Sequence, residues 1–210
     1  MGIRIFLRTD GNDSRFRVSL NRLIRATHGD SLVICSGYIS DIDSMKQEIS
    51  DSIKLGCKTG GTVTLIAGKL ENINGVDWED RYKRFAKHLK LELALTGINL
   101  VVKTAPGRNW HAKIAFKLDG QAPVIGLMGS SNLTGPAYLA PVDKWNYESD
   151  VLMWDSTVVG NTPIPSTADP QQIELDMVVA QGTDRSEKTE MVKIYSAVLN
   201  QQLNDITDSI

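Results

Sequence analysis

The chain has 210 residues, of which 41% are hydrophobic, and this is enough for one domain with a sizeable core. Its formal net charge of −2 argues against a protein that coats nucleic acid non-specifically, because such binding needs broad coverage by lysine and arginine. No apolar run has the length of a signal peptide or of a membrane span, and the spacing of Cys35 and Cys57 favours neither a disulfide framework nor a metal site. These features predict a cytoplasmic protein without a membrane partner.

The first half of the chain alternates between strand and helix patterns. In order, it contains a strand at 31–39, a helix at 41–57, a strand at 62–68, a helix at 77–97 and a strand at 98–105. Asp77 is suited to begin the second helix as its N-cap, and Gly97 to end it. Such alternation indicates an α/β fold with a mixed, mostly parallel sheet covered by helices on both faces.

The second half continues with three strand patterns and ends with a helix. Strands at 111–118 and 123–130 are joined through Asp119–Ala122 as a hairpin, and a further strand is predicted at 147–154. A loop at about 155–172 then leads to an amphipathic helix at 187–206. Because no repeat or composition shift marks a boundary, we interpret residues 1–210 as one domain.

The stretch around His111 has two different faces if it is extended, because side chains two apart point to the same side. One face is apolar, and Trp110, beside it, is expected to pack in the core. This face consists of Ala112, Ile114, Phe116 and Leu118. The other face consists of Asn109, His111, Lys113 and Lys117, and with Lys103 and Arg108 it forms a candidate basic cleft. A core explains the apolar row, but it does not require an imidazole beside an ammonium.

Two later motifs supply groups that suit a phosphate. Gly129 lets backbone approach a ligand, and the Ser130 hydroxyl and the Asn132 amide can donate to non-bridging phosphate oxygens, as can the ammonium of Lys113. Glu148 offers a carboxylate that can hold an imidazole by its Nδ1 proton. In combination these residues predict a phosphoryl-transfer site.

The order of these residues resembles the phospholipase D superfamily, whose signature is His-x-Lys-x4-Asp followed by Gly-Ser-x-Asn. The resemblance covers residues 31–154 and is closest to the nuclease branch, which includes metal-independent restriction endonucleases. The family aspartate falls at Leu118, with Asp119 one place later, and the hairpin before Gly129 is longer than usual.

The resemblance implies that His111 attacks phosphorus to give a phosphohistidine while His111 of a second subunit protonates the leaving oxygen. Because family sites use two His-x-Lys copies and this chain has one, it implies a homodimer with the site on its two-fold axis. Lys113, Ser130 and Asn132 would bind the phosphate and Glu148 would orient the imidazole, with no metal and no cofactor.

The resulting hypothesis is a metal-independent nuclease acting on DNA or RNA. One alternative is a phospholipase or phosphatidyl transferase, which is weaker because no exposed apolar run offers a membrane-docking surface. Another alternative is a catalytically silent phosphate-binding dimerisation module. Sequence specificity would come from a separate DNA-recognition or defence-system partner, and Trp145 and Tyr147 are candidates for either substrate contact or edge packing.

Overall fold

A computed structural model describes residues 2–8, 11–12, 14–105, 111–159, 174–177, 185–200 and 203–210, with only the backbone at 174–177 and 185–190. The described residues do not include Arg108 and Asn109 of the predicted basic cleft, Trp110, or residues 160–172 of the predicted loop. No described helix combines the length and the apolar character that crossing a membrane would require.

Eleven strands are described, and nine of them form one sheet. They are β1 Gly2–Arg8, β2 Ser31–Ser36, β3 Thr62–Ala67, β4 Asn72–Ile73, β5 Val76–Asp77, β6 Asn99–Thr104, β7 Ile114–Asp119, β8 Ala122–Gly129, β9 Glu148–Trp154, β10 Glu174–Met177 and β11 Asn204–Asp205. The large sheet has the order β10-β1-β9-β8-β7-β2-β3-β6-β11, and β4 and β5 form a separate small hairpin.

The helices occupy both faces of the sheet, as predicted. They are α1 Arg15–Arg25, α2 Asp43–Gly56, α3 Trp78–Leu93, α4 Gly135–Tyr138, α5 Ser156–Val159 and α6 Arg185–Leu199. The main core lies under α1, α2 and α3, where Leu23, Ile49 and Phe85 are fully buried. On the opposite face, Met191 and Tyr195 of α6 pack against a second cluster that includes Phe116.

The prediction of a mostly parallel sheet is wrong. Among the described strands, only the β2–β3 and β3–β6 pairs are parallel, and the remaining pairs of the large sheet are antiparallel. Parallel neighbours need a crossover such as α2 or α3, whereas the Gly120-Gln121 turn of the β7–β8 hairpin can only return antiparallel. The alternation of strand and helix thus gives parallel pairing only among β2, β3 and β6 of the described strands.

The ends of the chain also differ from expectation. The strand β1, in which Gly2, Arg4, Phe6 and Arg8 are buried, was not anticipated, and neither was its partner β10. Within the predicted loop, Ser156–Val159 forms a helical turn. The last helix ends at Leu199 instead of reaching residue 206, because Asn204 and Asp205 pair with β6.

Lys117 corrects the predicted basic face. It shares a strand face with Lys113 and Ala115, but its side chain is fully buried under α1 and α2. Its Nζ donates to the carbonyl of Ile24 at 3.1 Å and to that of Gly56 at 2.6 Å. Burial lowers the pKa of Lys117, and the residue holds two helix ends together instead of lining a solvent cleft.

Candidate active site

The candidate residues meet at one edge of the sheet because of the strand directions. His111 and Lys113 lie just before β7, Ser130 and Asn132 just after β8, and Glu148 at the start of β9. Strand β8 lies between β7 and β9 and is antiparallel to both, so the start of β7, the end of β8 and the start of β9 lie side by side. The amide of Gly129 donates to the carbonyl of Lys113 at 3.1 Å, which fixes the two motifs together.

His111 contacts Lys113 directly. The Nζ atom of Lys113 lies 2.9 Å from Nδ1 of His111, and the imidazole is exposed. Because an ammonium can only donate, Nδ1 accepts in this state, and a neutral ring carries its proton on Nε2. The charges of Lys113 and Lys69 lower the pKa of His111, which favours the neutral form that a nucleophile requires.

Lys69 is a cation of this site that the sequence analysis did not identify. It follows β3 by two residues, and its backbone amide donates to the carbonyl of Gly37 at 2.8 Å. Its charge lowers the pKa of both His111 and Lys113, although burial is the larger cause for Lys113. The only local signal was a lysine just after a parallel strand, which becomes informative once β3 is known to end at the same edge as β2.

Asn132 is held from its carbonyl side. Its Oδ1 accepts from the backbone amide of Tyr38 at 3.2 Å and lies 3.4 Å from Oγ of Ser36. The loop after β2 is fixed further by a bridge between Ile39 and Leu133. With Oδ1 engaged, the Nδ2 group of Asn132 makes no hydrogen bond to any residue of the described ranges, which leaves its two N–H groups available as donors.

Glu148 accepts hydrogen bonds from Ser130 and Asn146. The hydroxyl of Ser130 donates to Oε2 of Glu148, and Nδ2 of Asn146 donates to Oε1 at 3.3 Å. Within the described part of the chain, no hydrogen bond joins Glu148 to His111, so the expected contact with the Nδ1 proton is not made in this state. The charge of Glu148 instead raises the pKa of Lys113, opposing the effect of burial.

Gly129 and Ser131, which lie on either side of Ser130, contribute to the packing of the loop. The hydroxyl of Ser131 donates to Oδ2 of buried Asp150 at 2.6 Å, and burial raises the pKa of Asp150 to about 6. A Cβ atom at Gly129 would lie 2.2 Å from Oδ1 of Asp150 and 2.4 Å from the carbonyl of Ser149. The glycine is therefore needed for the packing of β9 against the loop, and its role in the approach of a ligand stays a prediction.

An open groove lies on the β9 side of the site. It has a volume of about 380 Å³ and is lined by Leu7, Arg8, Ser130, Tyr147, Glu148 and Ser149. Tyr147 is 82% exposed and packs edge-on against Trp145, with ring centroids 4.7 Å apart. The two aromatic residues thus form a pair beside the site.

Cys35 and Cys57 lie in the interior of the described fold. Both are buried and unpaired, and burial raises the pKa of Cys35 to about 12. In the described ranges, no three His, Cys, Asp or Glu side chains lie together in a way that could hold a metal ion.

The fold was compared with solved structures. Phosphatidylserine synthase from Haemophilus influenzae Rd KW20 is similar with a TM-score of 0.60 at 14% sequence identity. The match covers 98% of this chain and 40% of the synthase chain. The chain has a phospholipase D-like fold. At this identity the similarity concerns the fold alone, and the fold predicted from the sequence motifs is confirmed.

Two further solved structures are similar to the chain at lower TM-scores. NucT from Helicobacter pylori has a TM-score of 0.45 and 15% identity, over 95% of this chain and 97% of that one. Polyphosphate kinase from Porphyromonas gingivalis also has 0.45 and 15%, over 74% of this chain and 24% of that one. No protein-family model and no curated protein matches the sequence. The chain spans about two-fifths of the synthase with which it shares the phospholipase D-like fold.

Proposed function

We propose that this chain is a metal-independent phosphodiesterase of nuclease type that hydrolyses DNA or RNA through a phosphohistidine intermediate. The observation that supports this is the convergence of an exposed imidazole of lowered pKa with two lysines and an oriented amide donor at one sheet edge. These are His111, Lys113, Lys69 and Asn132. A nucleophile beside fixed positive charge suits attack on an anionic phosphodiester.

In the proposed first step, Nε2 of His111 attacks phosphorus and the bond from phosphorus to the leaving oxygen breaks. Lys113 turns from Nδ1 to a non-bridging phosphate oxygen, which lets the exposed ring exchange its proton onto Nδ1 and present a lone pair at Nε2. Nδ2 of Asn132 donates to the same phosphate, and the Ser130 hydroxyl does so after turning away from Glu148, whose charge favours the charged form of Lys113.

The leaving oxygen needs a proton, and this requirement supports a homodimer. The chain has three histidines, of which His28 precedes β2 at the opposite sheet edge and His88 lies within α3. A second imidazole at the site therefore has to come from another copy, and the partner subunit's His111, in its doubly protonated form, gives a proton to the leaving oxygen and becomes neutral. Water then attacks phosphorus, its proton passes to that same ring, and the bond from phosphorus to His111 breaks.

The proposal assigns the charge stabilisation to lysine. Lys113 and Lys69 from each subunit would neutralise the negative charge that develops on the phosphate oxygens. Sequence selectivity is assigned to a separate DNA-recognition or defence-system partner, since the described site presents phosphate-binding groups and no array that reads bases.

The experiment is incubation of the purified chain with labelled DNA and RNA in excess EDTA. Cleavage that persists in EDTA, with acid-labile phosphate trapped on His111, supports the proposal. Vesicles of phosphatidylglycerol are assayed in parallel, because the same chemistry would serve a phospholipase or phosphatidyl transferase. If only lipid is cleaved, the chain is a phospholipase or phosphatidyl transferase and not a nuclease. If oligonucleotide binds but nothing is cleaved, the chain is a catalytically silent phosphate-binding dimerisation module.

A further inference from the structure

Beside the site lies a cluster of two aromatic rings and two cations that the proposed chemistry does not use in full. The rings of Tyr38 and Trp78 are 4.7 Å apart, with an angle of 48° between their planes. Nζ of Lys69 lies 5.2 Å from the Tyr38 ring centre, and the guanidinium of Arg81 lies 5.2 Å from that of Trp78. We call these four residues the aromatic-basic surface.

The aromatic-basic surface is continuous with the candidate site. Tyr38 follows β2, and its backbone amide is the group that holds Asn132. Lys69 follows β3 and acts electrostatically on His111 and Lys113. Trp78 and Arg81 lie on the first turn of α3, so the surface extends from the imidazole along the carboxyl ends of β2 and β3 to that helix.

Within the described ranges, the two cations of this surface contact aromatic rings and have no carboxylate partner. Neither Lys69 nor Arg81 forms an ion pair within the described ranges, whereas nearby Arg84 pairs with both Asp41 and Asp80. Lys69 lies near another lysine, Lys113, and like charges close together destabilise a folded chain. A bound anion would remove that cost.

All four side chains remain partly accessible. Tyr38, Lys69, Trp78 and Arg81 are each half-buried, so the rings are fixed by their neighbours but still reach solvent. Fixed, half-exposed aromatic side chains next to lysine and arginine are the groups that stack bases and bind the backbone of single strands.

We propose that the aromatic-basic surface binds the single-stranded nucleic acid segment next to the phosphate that His111 attacks. This rests on the proposed nuclease function and narrows its substrate to single strands. Bases would stack on the Tyr38–Trp78 pair and on the Arg81 guanidinium, while Lys69 and Arg81 contact phosphates. A duplex cannot use the rings in this way, because its bases are already stacked on one another.

The test measures binding separately from cleavage, in the His111→Ala chain. A fluorescent single-stranded oligonucleotide and its duplex are titrated, and the dissociation constants are read by anisotropy at several salt concentrations. Tyr38→Leu and Trp78→Leu are compared with Tyr38→Phe, which keeps the ring, and Arg81→Gln with Lys87→Gln, an exposed lysine further along α3. Circular dichroism verifies that each variant is folded, and Arg81→Gln alters only a half-buried surface residue.

We expect each leucine variant to weaken single-strand binding by about tenfold, as loss of one stacked base would, and Tyr38→Phe to bind as the parent does. Arg81→Gln should reduce the slope of log affinity against log salt by about 0.7, and Lys87→Gln should not. Duplex affinity should be the lower of the two and unaffected by the leucine variants.

Other results would overturn the inference in recognisable ways. If wild type cleaves nucleic acid but the leucine and Arg81→Gln variants bind single strands unchanged, the proposed binding role of the aromatic-basic surface is wrong and the proposed nuclease function is retained. Single-strand binding that depends on the surface, without cleavage by wild type, retains the surface and refutes the enzyme. Equal dependence for duplex, or for phosphatidylglycerol vesicles, would assign the surface to a different partner.

Discussion

Nζ of Lys113 lies 2.9 Å from Nδ1 of His111, so the two residues of the His-x-Lys motif are in direct contact. The contact places a cation where the resemblance placed the Glu148 carboxylate. In the proposed mechanism this is the state before substrate binds, because a phosphate oxygen is a stronger acceptor for the ammonium than a neutral imidazole nitrogen. In that mechanism, Lys113 exchanges its contact with His111 for one with the substrate.

The His111→Ala chain is expected to lose cleavage while remaining folded, because His111 supplies the proposed nucleophile and its side chain is exposed. Activity is measured on labelled oligonucleotides, and folding by circular dichroism. His28→Ala, which changes an exposed histidine at the other sheet edge, is the matched control and should be fully active. Residual activity within tenfold of wild type would remove His111 from the mechanism.

The pKa of His111 should be lower than that of an ordinary histidine because of Lys113 and Lys69. Lys113→Gln and Lys69→Gln should each raise this pKa, with the larger increase for Lys113, whereas Lys87→Gln should leave it unchanged. The measurement is NMR titration of the ring protons. Since the nucleophile is neutral above its pKa, the acid limb of kcat/KM should move to higher pH in Lys69→Gln. If neither the pKa of His111 nor this acid limb changes, the two lysines do not act on His111 electrostatically.

Asp150 predicts a pH dependence of stability. Burial raises its pKa from 3.8, the ordinary value that applies in the unfolded chain, to about 6 in the folded chain. Between about pH 4 and 6 the folded chain therefore retains a proton that the unfolded chain has lost. The free energy of unfolding should therefore fall as pH rises from about 4 to 7, by at most about 3 kcal/mol from this group. Urea unfolding of Asp150→Asn should lack that component.

The control for Asp150 is Asp143→Asn, which changes an exposed carboxyl and should keep the wild-type pH dependence. Identical pH profiles for wild type and Asp150→Asn would mean that the carboxyl is solvated well enough to ionise normally. Its bond from Ser131 would then have to be reconsidered.

Lys117→Ala should destabilise the chain by about 2–4 kcal/mol, because the carbonyls of Ile24 and Gly56 would lose a charged donor and a cavity would form. Lys87→Ala, at an exposed position on α3, should change stability by less than about 0.5 kcal/mol. Urea unfolding measures both. Equal losses of stability in Lys117→Ala and Lys87→Ala would show that Lys117 is solvated, as its sequence position indicated.

The proposed dimer has one shared site, in which one His111 attacks and the partner subunit's His111 is the acid. When wild type is mixed with excess His111→Ala chains and subunits exchange, every mixed dimer lacks one of these groups. Total activity should therefore fall towards the square of the wild-type fraction, in EDTA as without it. A linear fall would show that each subunit works alone.

Local patterns in the sequence were sufficient for the central part of this fold. The strand and helix pattern of residues 31–105 is found nearly as predicted. Asp77 is the N-cap of α3, and its side chain accepts a hydrogen bond from the backbone amide of Asp80. The β7–β8 hairpin forms at its predicted turn, where Gly120 has a φ of 59°. These features depend on periodicity, caps and turn residues, which act over a few positions along the chain.

The sequence also indicated five residues that meet at the candidate site, but neither Lys69 nor all of their contacts. His111, Lys113, Ser130, Asn132 and Glu148 lie at one sheet edge because antiparallel neighbours bring the start of one strand beside the end of the next. Their partners come from elsewhere: Tyr38 holds Asn132 from 94 positions away. Such contacts follow from the strand order, which no local pattern encodes.

Tertiary structure alone decided the roles of the lysines. Alternation along β7 places Lys113 and Lys117 on one face, but only the packing of α1 and α2 buries Lys117, through carbonyls 93 and 61 positions away. Lys69 has no motif around it and joins the site because β3 is the parallel neighbour of β2. Periodicity determines which side chains share a face, whereas the elements that cover that face determine which charges reach solvent and which become structural.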